Sequence, residues 1–181
     1  MSTLTPYPGR FDIHESEAAG PGFLYCAEAG HKETVAIYET LKGRMDQSTT
    51  GEWTLRWAER DCRSIQYFKL SHAVALIDIH KRSDRVCFHM GEEVQYSRNR
   101  DCTREWANFL RSSVPDAVGI AYNSTVSTAK CGQSSFVFWE DRMNAQGISF
   151  IPTDQVNLSS AAGAKKVFAA LRPDRVVMVA K

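Results

Sequence analysis

Hydrophobic positions in this chain fall into short alternating runs and a few stretches of helical spacing, separated by Gly, Pro and polar breakers. The clearest pattern lies in residues 23–39, FLYCAEAGHKETVAIYE. Phe23, Leu24 and Tyr25 lead into small residues as a half-buried strand does, and Gly30 with His31 breaks the run. Val35, Ile37, Tyr38 and Leu41 then recur at spacings that share one buried side of a helix. The pattern predicts strand, turn and helix, the helix starting near Glu33 and stopped by Gly43. Glu39 falls about two turns into it. A carboxylate on a partly apolar helix is an unusual choice for a face that is merely solvated.

The remaining pattern is weaker but ordered. Residues 1–22, broken by Pro6, Pro8, Gly9, Pro21 and Gly22, read as loop and contain Arg10 and Phe11. Residues 47–51 are polar and turn-like, and residues 53–60 suggest a short helix. Residues 65–70 and 73–79 read as two strands parted by Ser71 and His72, a hairpin in this reading. Residues 86–90 fit either a short strand or a loop. Residues 101–114 carry Trp106, Phe109 and Leu110 at helical spacing, with Asp101 as the expected cap and Pro115 as the stop. Residues 117–122 and 136–139 are strands flanking a polar loop that begins Asn123, Ser124, Thr125. Hydroxyl and amide groups at the end of a buried strand are held by a rigid scaffold, which is where binding sites form. Beyond Arg142 the pattern thins to a helix at 161–171 and a last strand at 176–179.

At 181 residues the expectation is one domain with one substantial core. The 22 Lys and Arg against 21 Asp and Glu build no strong positive field, which argues against direct nucleic-acid binding or attachment to a membrane surface. No apolar run approaches spanning length, and the first thirty residues hold Arg10, Asp12, His14, Glu15 and Glu17, so the expected location is cytoplasmic. Five cysteines, odd in number and without a C-x-x-C pair, read as free thiols used as small hydrophobes. His80, Cys87 and His89 are too few and too poorly spaced for a structural metal site, and no metal is expected.

Several of these stretches carry a resemblance. Pro8-Gly9-Arg10-Phe11-Asp12, Leu24-Tyr25 with Ala27, Ala36-Ile37-Tyr38-Glu39, and Val118-Gly119-Ile120-Ala121-Tyr122-Asn123-Ser124, followed by Cys131 and Phe136-Val137-Phe138, resemble the RES-domain family. Ala75-Leu76-Ile77-Asp78 and the run from Cys102 to Leu110 agree with it, so the likeness covers about residues 9–142, with 143–181 as a C-terminal extension of the same domain. The family is named for its Arg, Glu and Ser and comprises mainly bacterial toxins that consume NAD+. The resemblance implies an α+β fold of the ADP-ribosyltransferase kind, a split, strongly bent mixed sheet with flanking helices. It also implies a helix-turn-helix antitoxin as partner, self-association, and NAD+ as a substrate rather than a resident cofactor.

Carried onto this chain, the resemblance implies Arg10, Glu39 and Ser124 as the catalytic set, with Tyr25 and Arg10 binding substrate. The chemistry suits those residue types. Breaking the bond between nicotinamide and ribose builds positive charge on the sugar, which a nearby carboxylate stabilises more in the transition state than in the ground state. Arg10 offers a planar fork for phosphate or ribose oxygens, Tyr25 a flat face for the nicotinamide ring, and Ser124 a hydroxyl for ribose or amide. Lys32, His31 or backbone amides remain to hold the pyrophosphate. Singly, each residue has a plain structural reading: a solvated cation, a half-core tyrosine, a helix-face charge and a strand-end hydroxyl. All four in family order favour an NAD+ glycohydrolase or phosphorylase, the toxin of a type II toxin-antitoxin pair. The alternatives are an ADP-ribosyltransferase acting on a macromolecule and a catalytically silent NAD+ or ADP-ribose-binding module.

Overall fold

The computed structural model describes residues 23–28, 33–41, 46–47, 53–91, 94, 97, 99–123, 134–171 and 177–179. Their elements, in chain order, are β1 (Phe23–Ala27), α1 (Glu33–Leu41), β2 (Asp46–Gln47), β3 (Trp53–Arg56), α2 (Trp57–Asp61), β4 (Ser64–Leu70), β5 (Ile77–Asp78) and α3 (Arg82–Cys87). Next come α4 (Arg100–Ser113), β6 (Gly119–Asn123), β7 (Ser134–Trp139), α5 (Glu140–Ala145), β8 (Phe150–Asn157), α6 (Ala161–Leu171) and β9 (Val177–Val179). The fold is α+β, as expected. The described strands form three sheets, ordered β1-β7-β6-β5, β2-β3-β9 and β4-β8. Pairing is mixed: β5 with β6 and β3 with β9 run parallel, β2 with β3 and β4 with β8 antiparallel.

The chain divides into two compact units, each with its own core. In the first, which takes in Val74–Tyr122 and Phe136–Gly147, Ile77, Ile79, Ala107, Leu110, Ile120, Tyr122, Val137 and Trp139 pack together. Strand β6 is buried along almost its whole length, as an apolar strand with a parallel neighbour should be. Gly119 lets it approach β7 closely, since a Cβ there would lie 2.2 Å from the Val137 carbonyl oxygen. Helix α4 presents Thr103, Ala107 and Leu110 to this core while Phe109 is half-exposed. Its cap is Asn99 rather than Asp101: the Asn99 side chain accepts from the Cys102 amide at 3.2 Å. At the other end of α4 the Arg142 guanidinium donates to the carbonyls of Arg111 (2.6 Å), Val114 (2.7 Å), Pro115 (2.7 Å) and Ala117 (3.0 Å). The Arg111 oxygen is one that the helix terminus leaves without an internal partner, and the other three belong to the C-cap and the turn that follows.

The second unit packs Ile37, Tyr38, Leu41, Leu55, Leu158, Val167, Ala170 and Leu171 into one cluster. Helix α6 occupies residues 161–171, as predicted, and the Ser160 hydroxyl caps it by accepting from the Gly163 amide at 3.0 Å.

Three further expectations are corrected. The hairpin between 65–70 and 73–79 does not form. Strand β4 pairs instead with β8, where the Phe68 and Phe150 rings meet edge to face at 4.6 Å, and only Ile77–Asp78 of the second segment is strand, paired with β6. Residues 53–60 are not one helix: Trp53–Arg56 are strand because β2 and β9 supply hydrogen-bond partners on both sides, and α2 begins only at Trp57. Residues 86–90 are the end of a helix, α3, and the turn that leaves it, and α3 is organised around a buried cation rather than an apolar face. Arg85 donates to the Ile79 and His80 carbonyls at 2.8 and 2.7 Å, Val86 stays exposed, and His89, at φ 54°, turns the chain out of the helix.

Cys26, Cys62, Cys87 and Cys102 are free thiols. Burial pushes the Cys26 thiol up to about 12, so little of it is thiolate at neutral pH. Exposed Cys62 and Cys87 are expected to alkylate with iodoacetamide at pH 8 at least about a hundredfold faster than Cys26. Peptide mass spectrometry over time checks this, and equal rates would mean that the β1 thiol is not buried. Among the described residues no three His, Cys, Asp or Glu side chains are grouped to hold a metal ion, and no helix is long and apolar enough to cross a membrane.

Candidate active site

Of the four motif residues, the described chain places two. Tyr25 lies in β1, an edge strand of the four-stranded sheet, and is 37% exposed. Glu39 lies in α1. Its side chain is outside the described residues, as are Arg10 and Ser124; in the sequence Ser124 directly follows the last residue of β6.

Helix α1 is held by its apolar residues. Val35, Ile37, Tyr38 and Leu41 are all buried, the set that the 3.6-residue period selects. Ile37, Tyr38 and Leu41 pack against Val167, Ala170 and Leu171 of α6. A partner at the start of the helix was not read from the sequence. Lys166 of α6 reaches both Glu33 oxygens, at 2.8 and 2.7 Å, and the Tyr67 hydroxyl of β4 donates to Glu33 Oε1. The Lys166 ammonium also stands 5.9 Å from the centre of the Tyr67 ring. Glu33 sits in the first turn, where a carboxylate also meets the positive end of the helix dipole. No local signal could have found this triad, because 133 residues separate Glu33 from Lys166.

The electrostatics follow from that geometry. Burial by itself raises the Glu33 carboxyl, but the hydrogen bonds from Lys166 and Tyr67 and the Lys166 charge outweigh it, leaving the group below the usual glutamate range. Lys166 is raised by its hydrogen bond to Glu33, which exceeds the opposing desolvation, and Tyr67 is raised by burial and by the same carboxylate. A carboxyl depressed on folding contributes stability above its unfolded pKa and loses it as pH falls through the folded value. Native protein should therefore melt above Glu33→Gln at pH 7, and the gap should narrow as pH falls below the usual glutamate range. Melting curves across an acid titration check this; a gap that stays constant from neutral pH until the protein unfolds in acid would show that the carboxylate charge contributes nothing.

In the first unit, β5 and β6 run parallel with Asp78 beside Ala121, and the Ile79 amide donates to the Ala121 carbonyl at 3.0 Å. The chain then turns, with Asp78 Oδ1 accepting from the His80 amide at 3.0 Å. His80 Nε2 is buried there with no hydrogen-bond partner among the described residues. A buried imidazole nitrogen without a partner carries a desolvation cost that water or a bound polar group would relieve. His80 and His89 lie in the turns before and after α3, and Cys87 is the last residue of that helix.

No curated protein and no solved structure matches the chain. A family model described as the RES domain matches residues 1–158. That stretch holds Arg10, Tyr25, Glu39 and Ser124 and stops short of α6. The chain belongs to the RES-domain family, a family of NAD-related toxin modules.

Proposed function

We propose that this chain is an NAD+-degrading enzyme that cleaves the nicotinamide-ribose bond, as a glycohydrolase or phosphorylase, and that it is the toxin of a type II toxin-antitoxin pair. The observation that carries the reading is the family match over a stretch with the arginine, tyrosine, glutamate and serine in family order. In this reading NAD+ is the substrate, with no resident cofactor or metal. The bond between C1′ of the ribose and the pyridinium nitrogen breaks, and its electron pair leaves on nicotinamide, which departs neutral. Positive charge develops on C1′ and the ring oxygen, where the Glu39 carboxylate stabilises it. Water or phosphate then adds to C1′, water giving up a proton to solvent, and yields ADP-ribose or its phosphate ester.

Arg10 binds the pyrophosphate or ribose through its fork of donors, Tyr25 stacks on the nicotinamide ring, and Ser124 holds a ribose or amide oxygen. A helix-turn-helix antitoxin that covers this site would silence it, and the enzyme would act in the cytoplasm, where NAD+ is abundant. Self-association belongs to the same reading.

The test is to incubate purified chain with NAD+ carrying a label on its adenylate half and to follow nicotinamide by chromatography, with and without phosphate and with and without cell lysate. Free nicotinamide with labelled ADP-ribose supports the hydrolase, and dependence on phosphate supports the phosphorylase. Label on a macromolecule would make the protein a transferase. Tight NAD+ binding with no nicotinamide released would make it a silent module.

A further inference from the structure

The family model ends at residue 158, yet α6, at Ala161–Leu171, packs against the helix that carries the family glutamate. Two features join α6 to α1. The first is the apolar seam of Ile37, Tyr38 and Leu41 with Val167, Ala170 and Leu171. The second is the pair of contacts from Lys166 to both oxygens of Glu33, at 2.8 and 2.7 Å, with Tyr67 donating to the same carboxylate. Glu33, Ile37 and Leu41 recur every four residues, so the ion pair and the seam lie along one stripe of α1. On Lys166 and Ala170 the same spacing holds for α6. A seam of aliphatic side chains resists separation but tolerates small rotations and slides, because dispersion contacts are not directional. A carboxylate gripped at both oxygens by an ammonium and a phenol has a defined position, and it fixes the start of α1 along and around its axis.

We infer that Lys166, with Tyr67, is a positioning residue for Glu39: by gripping Glu33, α6 sets the rotation and height of α1, and so the place of the carboxylate six residues further on. By helical spacing, position 39 falls on the side of α1 away from the Glu33-Ile37-Leu41 stripe. A slip of the helix against α6 is therefore carried directly to Glu39. Displacement of a catalytic group by about 1 Å can lower a rate by about a hundredfold. The stretch beyond the family match thereby acquires a role in the chemistry without touching substrate.

The kinetic part of this inference rests on the proposed NAD+ cleavage, so the experiment has two readouts. Lys166→Met keeps most of the stem and removes the charge, Glu33→Gln removes the carboxylate charge, and Lys166→Arg keeps a donor. In NAD+ turnover, Lys166→Met and Glu33→Gln are expected to lower kcat about tenfold with KM within about twofold, the double variant is no worse than the poorer single, and Lys166→Arg recovers much of the loss. Hydrogen exchange, which needs no activity, should show the α1 amides exchanging faster in Lys166→Met and Glu33→Gln while the α4 amides keep their native protection. Native kcat in both single variants overturns the inference, and so does a loss that adds in the double variant. Exchange that is unchanged in α1, or faster throughout the chain, also overturns it. If the native chain releases no nicotinamide, the proposed function fails, and the exchange result alone decides whether α6 anchors α1.

Discussion

Glu39→Gln is expected to release nicotinamide from NAD+ about a hundredfold to a thousandfold more slowly than the native chain, with KM little changed and the melting temperature within a few degrees. The magnitude comes from the charge. A carboxylate about 4 Å from a developing sugar cation contributes on the order of 4 kcal/mol at the effective dielectric of a protein site. Each 1.36 kcal/mol removed from a barrier is about tenfold in rate. Glutamine keeps the shape and a carbonyl oxygen but not the charge, so the loss should appear in kcat, where interactions made only in the transition state are read. Nicotinamide followed by chromatography under saturating NAD+ gives the rate, and circular dichroism shows whether α1 survives the change. A variant that cleaves NAD+ at the native rate would remove Glu39 from the chemistry and require another carboxylate in its place. Loss of helix content along with loss of rate would mean that Glu39 holds α1 rather than the substrate.

The largest effect on stability is expected at Gly163. Replacing a glycine within a helix by alanine ordinarily stabilises by about 1 kcal/mol. Here the new Cβ would stand 2.1 Å from the Asn157 carbonyl oxygen, 2.5 Å from Leu158 Cα and 2.8 Å from Asn157 C. All three are backbone atoms, so no side chain can swing aside, and either the turn after β8 or the whole of α6 must move. The clash wins, at about 3 kcal/mol or more. For a chain of this length Gly163→Ala should melt roughly 6–12 °C below the native protein. Scanning calorimetry measures it, and a melting temperature within about 2 °C of native would show that α6 does not lie against the turn after β8 as described. Because Val167, Ala170 and Leu171 dock on α1, the α1 amides should lose hydrogen-exchange protection in the same variant.

Elements with a strong local period are legible in the sequence. Strand β1 and helix α1, the amphipathic α4, the strands β6 and β7, and α6 all follow from apolar spacing, while the turn expected at Gly30-His31 and the stop expected at Gly43 lie outside the described residues. Errors arose where a distant partner decided the state. Trp53–Arg56 are strand because β9, more than a hundred residues later, pairs alongside them. Strand β4 ignores its sequence neighbour for β8, whose run of exposed residues and Pro152 gave little pattern to read. Helix α3 was missed because the residue it buries is an arginine, and apolar spacing carries no mark for a guanidinium that finds two carbonyls.

For the candidate site, Glu39 and Tyr25 sit on the helix and strand that their surroundings predicted, and the family match spans all four motif positions. By itself the sequence determined the family, the α+β class, and the residue types suited to a cationic sugar and a phosphate. Those depend on short motifs and on periodicities of two and 3.6 residues, which act between near neighbours. Only the tertiary structure decided that α1 starts under the grip of a lysine and a tyrosine, and that α6 forms its packing face. Contacts between residues more than a hundred positions apart leave no local trace, since their geometry exists only once the chain has closed on itself.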